Sequence, residues 1–289
     1  MDTIVVGVDG SAHADTALRW ALREAELTGA ELYLVYAYGR RPARRSSPDE
    51  GRAMAEGMLE SIVERNRDAL DAVTWRSHAQ SAGRGSPAAV LIDEAQQADL
   101  IVVGNRGVGG FSELILGSTS YRLTSGTTTP VVVVRADLPA AVVDDPFPLE
   151  VVVGVDGSDS GDRALRWAAA EAQRRNVKLN VVHAQPLPTH SMYAMSAVPD
   201  LDHERDLVVR EGEQIIDRAL EHAGDSLGEL EVGRHPLVGP VADALVSFGG
   251  SRQLIVVGNR GHSYVGGLML GSTSHQVLHH AKAPVVIVP

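Results

Sequence analysis

Residues 104–120 read GNRGVGGFSELILGSTS, and residues 258–274 read GNRGHSYVGGLMLGSTS. Each stretch follows an apolar run, 100–103 or 254–257, and leads into a short helical pattern. The two share one skeleton of glycine, two residues, glycine, nine residues, then Gly-Ser. The positions are Gly104, Gly107, Gly117 and Ser118 in the first copy, and Gly258, Gly261, Gly271 and Ser272 in the second. Glycine lets a backbone approach a ligand closely and tolerates positive φ. A loop that leaves a strand and enters a helix aims its N–H groups at one point, where the helix adds partial positive charge. The pattern therefore points to phosphate. Ser118 and Thr119, with Ser272 and Thr273, stand where a hydroxyl caps the helix or meets a phosphate. Arg106 and Arg260 lie inside the loops, where they can pair with phosphate or face solvent. The competing reading is a flexible glycine connection, and the recurrence of the same three-glycine frame weighs against it.

The frame belongs to a longer duplication. Val5-Val6-Gly7-Val8-Asp9-Gly10-Ser11 recurs 147 residues later as Val152-Val153-Gly154-Val155-Asp156-Gly157-Ser158. Ala17-Leu18-Arg19-Trp20-Ala21 recurs at the same offset. The glycine loops are 154 apart, so the second copy has gained seven residues between its second strand and third helix. A repeat this long is a duplicated domain and not a solenoid unit. The expected division is a first domain over 1–136, a linker over 137–149 broken by Pro139, Pro146 and Pro148, and a second domain over 150–289.

Within each half, β-branched runs alternate with helical stripes. In the first half the expected strands are 3–8, 31–37, 73–79, 99–103 and 130–134. The expected helices are 11–28, 51–70, 87–97 and 118–125. Ser11 is the expected cap of the first helix, Gly29 its stop, and Ala14, Ala17, Leu18, Ala21, Leu22 and Ala25 its buried stripe. Trp20 and Trp167 read as packing residues. Apolar strands separated by helices imply a parallel α/β sheet covered on both faces, with ligands beyond the carboxyl ends of the strands. An aspartate just past the first strand, Asp9 or Asp156, then stands at the mouth of that crevice. It can accept from an amine or hydroxyl there, or serve the following helix as a cap.

Composition narrows the function. Over 289 residues, apolar content is 44% but aromatics only 4%, so the cores rest on Val, Ile, Leu and Ala. The net charge of −11 opposes nonspecific binding to nucleic acid or anionic lipid. The absence of cysteine removes disulfides and thiolate metal sites. With no signal-peptide pattern after Met1 and no apolar run long enough to span a bilayer, the expected location is the cytoplasm. No nucleic-acid or membrane partner is expected.

The Val-Asp-Gly-Ser turns, the two glycine frames and the closing strands Pro-Val-Val-Val-Val and Pro-Val-Val-Ile-Val together resemble the universal stress protein family, in a tandem form, along almost the whole chain. The resemblance implies two flavodoxin-like (Rossmann-like), doubly wound domains, each with a five-stranded parallel sheet of order 3-2-1-4-5. It further implies one ATP per domain, since intact glycine frames mark the family's nucleotide binders, and Mg²⁺ is expected with ATP because it bridges phosphate oxygens. On that basis Asp9, Gly10 and Ser11, with Asp156, Gly157 and Ser158, lie near adenine and ribose. Val35 and Val182 offer backbone atoms to adenine. Gly104, Gly107, Gly117 and Ser118, with Gly258, Gly261, Gly271 and Ser272, hold the phosphates. The implied role is a nucleotide-dependent sensor or regulator in a stress response. Family domains pair through their last strands, so the halves are expected to pair within the chain, and chains to pair again as a homodimer. Other protein partners cannot be named from the sequence.

Catalysis finds little support. There is no G-x-x-x-x-G-K-[ST] and no Ser-His-Asp arrangement that linear spacing can establish. Slow ATP hydrolysis, autophosphorylation at Ser118 or Ser272, and a nucleotide-free interaction scaffold stand as alternatives. A run of arginines over 40–45 reads as a solvated loop, and the matching 185–202 lacks them but carries Met192, Tyr193 and Met195. His275 and His279 are four apart on the last helix, with no third ligand apparent, so no metal site is expected.

Overall fold

The structure, a computed structural model, describes residues 1–39, 48–107, 116–136, 150–187, 201–248, 253–261 and 270–289. The expected linker, the arginine run and Met192, Tyr193 and Met195 lie outside these residues. In the first half β1 (Thr3–Gly7), α1 (Ala12–Thr28), β2 (Glu31–Tyr38), α2 (Pro48–Arg65), α3 (Arg67–Leu70), β3 (Trp75–Ser81), α4 (Pro87–Glu94), β4 (Leu100–Gly104), α5 (Ser118–Gly126) and β5 (Val131–Val134) follow in order. The second half runs β6 (Glu150–Gly154), α6 (Asp159–Arg175), β7 (Lys178–Gln185), α7 (Leu201–Ala223), β8 (Val232–Val238), α8 (Val241–Ser247), β9 (Gln253–Gly258), α9 (Ser272–His280) and β10 (Val285–Val288). A 3₁₀ turn, Gly224–Leu227, follows α7.

Local chemistry sets these limits. Ser11 caps α1 by accepting from the Ala14 N–H at 3.1 Å, and Gly29 ends it at φ 69°, a left-handed position that glycine adopts without strain. Ser158 caps α6 in the same way. All six residues of the expected α1 stripe are buried, as is Trp20. The helix expected over 51–70 is in fact two, broken at Asn66, where φ is −115° and ψ 13°. There the Asn66 amide turns back to donate to the Ile62 carbonyl at 2.8 Å, a local bond that competes with helix continuation. Val73 belongs to the turn that follows, its N–H bonded to Leu70, so β3 starts two residues later than its pattern suggested. The extra residues of the second half fall between β7 and α8, where α7 has 23 residues against 18 in α2.

Each half is a flavodoxin-like α/β unit with a parallel sheet of order 3-2-1-4-5. The two sheets merge into ten strands ordered β3-β2-β1-β4-β5-β10-β9-β6-β7-β8. The join is antiparallel, with Val131, Val132 and Val133 opposite Ile287, Val286 and Val285. The closing strands thus pair within one chain, which satisfies both edges internally. The cores are continuous as well. On one face Ile4, Leu18, Leu34 and Ile62 share a cluster with Val153, Leu165 and Ile216. On the other, Val5, Leu91 and Leu123 share one with Leu245, Ile255 and Val277. Burying strands on both faces accounts for their unbroken Val, Ile and Leu runs.

Candidate functional site

The site in each half begins where the first strand ends. After β1, the Val8 N–H donates to the Val35 carbonyl at 3.0 Å, and the chain then leaves the sheet. Gly10 takes φ 81°, and Gly157 takes φ 80° at the same place in the second half. Both conformations favour glycine. Asp9 Oδ1 accepts from the Ser11 N–H at 3.0 Å, and Asp156 Oδ1 from the Ser158 N–H at 3.0 Å. The cap is therefore Ser11 or Ser158, and the aspartate braces the turn before it.

The aspartate's other oxygen faces the distant glycine loop. A Cβ built on Gly107 would stand 2.3 Å from Asp9 Oδ2, and one on Gly261 would stand 2.5 Å from Asp156 Oδ2. The first two glycines of the frame thus have steric roles of their own. Gly104 lets β4 pass α1, since a Cβ there would meet the His13 backbone at 2.7 Å. At Gly258 it would meet Ser160, with Oγ at 2.4 Å and C at 2.9 Å. The third glycine differs. A Cβ on Gly117 or Gly271 would find its nearest neighbour at 3.4 Å, an ordinary contact.

A fixed set of hydrogen bonds anchors the base of each loop. Asn105 N–H donates to the Val134 carbonyl at 2.8 Å, Gly117 N–H to the Asn105 carbonyl at 2.7 Å, and the buried Ser120 hydroxyl to the Gly104 carbonyl at 2.7 Å. Their counterparts are Asn259 to Val288 at 2.7 Å, Gly271 to Asn259 at 2.8 Å and Ser274 to Gly258 at 2.6 Å. Asn105 is also held from α1 by His13 Nδ1, 2.7 Å from its Oδ1. In the second half the Ser160 hydroxyl donates to Asn259 Oδ1 at 3.2 Å. Sequence reasoning missed His13, Ser160 and both asparagines. The repeated Gly-Asn-Arg-Gly was the available signal for the asparagines.

The N-caps of α5 and α9 are Gly117 and Gly271, not the serines that follow, and no side chain caps either helix. Ser118 and Ser272 are exposed first-turn residues, with Thr119 and Thr273 half-buried beside them. The first-turn N–H groups at Ser118 and Ser272 have no helical partner by geometry. Arg106 and Arg260 are half-buried within the loops. Residues 108–115 and 262–269, between the second and third glycines, lie outside the described residues.

Val35 and Val182 are buried, and their carbonyls accept from the Val8 and Val155 N–H groups. Backbone direction alternates along a strand. The Tyr38 carbonyl faces β3, where it accepts from Ala82, so Ala37 turns its N–H and carbonyl toward β1. β1 has ended by then, its last pair being Gly7 with Val35. Ala37, and Ala184 by the same argument, therefore present backbone atoms to the crevice two residues beyond the positions the sequence suggested. In the second half His183 covers the same end, its Nδ1 2.8 Å from the Val155 carbonyl.

Among the described residues no group of three His, Cys, Asp or Glu could hold a metal ion, and no helix is long and apolar enough to cross a membrane. His275 and His279 stack at 4.2 Å between ring centroids, and burial, His275, His280 and Arg135 hold His279 below the usual histidine range.

Two crevices with one bonding scheme are a strong signature, and comparison with known proteins agrees. The universal stress protein family model matches residues 1–135 and again 150–289. Universal stress protein Rv2005c of Mycobacterium tuberculosis is 30% identical over 98% of this chain and 96% of its own length. A universal stress protein of Mycolicibacterium smegmatis is 32% identical over 99% and 96%. Among solved structures, a universal stress protein from Archaeoglobus fulgidus aligns with a TM-score of 0.67 at 21% identity, over 99% of this chain and 97% of that one, which bears on the fold. With the family frame filled twice along nearly the whole length, the chain belongs to the universal stress protein family.

Proposed function

We propose that each half binds one adenine nucleotide, ATP with its Mg²⁺, and that occupancy of the two crevices regulates which protein partners the chain engages under stress. One observation carries this reading. Both halves spend the same bonds, asparagine to closing strand and serine to glycine carbonyl, on fixing the two ends of a glycine loop beside an uncapped helix start. A merely flexible connection would not need its base pinned twice in the same way.

In this reading Gly104, Gly107 and Gly117, with Gly258, Gly261 and Gly271, shape a path along which phosphates meet backbone N–H groups and the positive end of α5 or α9. Ser118, Thr119 and Arg106, with Ser272, Thr273 and Arg260, supply hydroxyl and guanidinium donors. Asp9 and Asp156 accept from the ribose or adenine end, beside Gly10-Ser11 and Gly157-Ser158. Ala37 and Ala184 take the adenine-facing role that the resemblance placed on Val35 and Val182. Magnesium would ride on phosphate oxygens, as it does when a protein supplies few ligands. Charge-assisted bonds contribute about 1.5–3 kcal/mol each, so several of them support micromolar affinity after the cost of association. A homodimer would have to use a surface other than β5 and β10, whose edges are paired inside the chain.

The test is mass spectrometry of the purified full chain, native and then denatured, with released small molecules identified. About two ATP per chain is the expected result. A chain that is empty and takes up no added ATP would overturn the reading and leave the interaction scaffold. Recovery of ADP that is replaced on soaking in ATP would add slow hydrolysis to the binding function.

A further inference from the structure

Glu24 on α1 and Glu171 on α6 occupy the same position in the two copies, 147 residues apart, and the fold brings them together at the joint between the halves. Both are buried, at 1% and 0% exposure. Two facing carboxylates at this depth would repel and go undersolvated. The chain answers with arginines from one side only. Arg175, itself 3% exposed, bonds Glu171 through Nε and Glu24 through Nη2. Its guanidinium lies 5.6 Å from the centre of the Trp20 ring, so it also grips the first half through an aromatic face. Arg174, 31% exposed, bonds Glu171. The first-half counterparts of these arginines are Leu27 and Thr28.

The oxygens are unequally served. Glu171 Oε1 accepts from Arg175 and its Oε2 from Arg174. Glu24 Oε2 accepts from Arg175. Glu24 Oε1 is buried with no hydrogen-bond partner, and Arg175, which bonds both carboxylates, holds Glu24 beside Glu171. Two carboxylates can share a hydrogen bond only if one of them carries a proton.

We propose that the joint between the halves is a proton-binding site, in which Glu24 carries a proton and donates it to Glu171, and that loss of this proton loosens the contact of α1 with α6. The charged groups facing Glu24 are Glu171, Arg174 and Arg175, all from α6. Burial first, then the charge of Glu171, push the Glu24 carboxyl up to about 7, against the pull of Arg175 and Arg174. A carboxyl with a raised native pKa contributes its stability in full below its unfolded value. The contribution is lost as pH rises through about 7. The joint is thus tightest in mild acid and slackens within the physiological range.

The test uses the full chain. Infrared spectra of wild type, titrated from acid to alkali, should show a protonated-carboxyl band that persists above the ordinary glutamate range, disappears near pH 7, and is missing from Glu24→Gln. Amide exchange at the C-terminal turns of α1 and α6, corrected for the intrinsic rate, should rise about tenfold between about pH 6 and about pH 8 in wild type and stay level in Glu24→Gln. A wild-type band lost in the ordinary carboxylate range would overturn the proposal, and that measurement needs no variant to fold. A Glu24→Gln protein whose exchange keeps the wild-type pH step would overturn it too.

Discussion

The two glycine loops share their sequence skeleton and their main-chain bonds, but different side chains clamp them from the preceding helix. In the first half an imidazole holds Asn105 at 2.7 Å, and in the second a serine hydroxyl reaches Asn259 at 3.2 Å. The backbone set is common to both copies, whereas the clamp from α1 or α6 has diverged. The difference teaches that the main chain of the loop is the constrained part. Under the proposed function, the different clamps predict that the two sites differ in affinity although their frames are alike.

The largest effect should come where the two halves agree. Gly104→Ala drives a methyl into the His13 backbone, and Gly258→Ala drives one into Ser160. Backbone cannot step aside as a flexible side-chain end can, so each substitution should cost on the order of 2–3 kcal/mol in urea unfolding. A loss under about 0.5 kcal/mol at either position would mean that β4 or β9 slides away from its helix freely. Removing the asparagines sharpens the contrast. Asn105→Ala removes a buried side chain and its bond to the half-buried His13 ring and should cost about 2 kcal/mol, while Asn259→Ala releases a longer hydroxyl bond from a half-buried side chain and should cost roughly 1 kcal/mol. Equal losses would erase the distinction between the clamps.

Gly117→Ala and Gly271→Ala should disturb the fold least among the glycine changes, because the nearest atom lies 3.4 Å from the new Cβ and neither backbone needs positive φ. We expect stability changes under about 1 kcal/mol and the loss of one bound nucleotide per chain in each variant, read by equilibrium dialysis and by mass spectrometry. Unchanged stoichiometry in both would remove the phosphate path from these loops.

The fold was largely legible because it rests on local signals. Apolar runs marked the strands, Ser11 and Gly29 marked the ends of α1, and the duplication repeated the apolar runs and the serine cap, with Asn176 taking the left-handed place of Gly29. What escaped the sequence depends on contacts between distant segments. The contact of Asp9 with Gly107 joins two turns from different ends of the first half, and no periodicity connects them. That the Val35 carbonyl is taken by Val8, leaving Ala37 as the next residue turned toward the crevice, depends on where β1 leaves the sheet, a fact about two strands and not one. Glu24 and Glu171 escaped for a different reason. A glutamate on a helix normally faces solvent, and only the antiparallel join of β5 to β10 turns these two inward against each other.

That join has two faces, and they respond to pH with opposite signs. On the α1–α6 face, stability falls as pH rises past Glu24. On the other face α5 and α9 meet, with Tyr121 and His275 edge to face at 6.1 Å. Here burial, then His275, His280 and Arg135, hold His279 below its ordinary value of 6.5. The unfolded chain therefore takes up a proton near 6.5 that the folded chain still refuses, so stability falls as pH drops below 6.5. The counterpart of His279 in the first half is Ser125, which does not titrate in this range. Writing that residue into the second half, His279→Ser, should flatten the acid side of the stability curve and leave the Glu24 limb in place. Arg135 keeps its bond at 3.1 Å, because it uses the backbone carbonyl of residue 279. Thermal unfolding of wild type and His279→Ser from mildly acidic to neutral pH would show it. An acid limb equally steep in both proteins would assign that limb to other groups and leave the joint with a single pH-sensitive face.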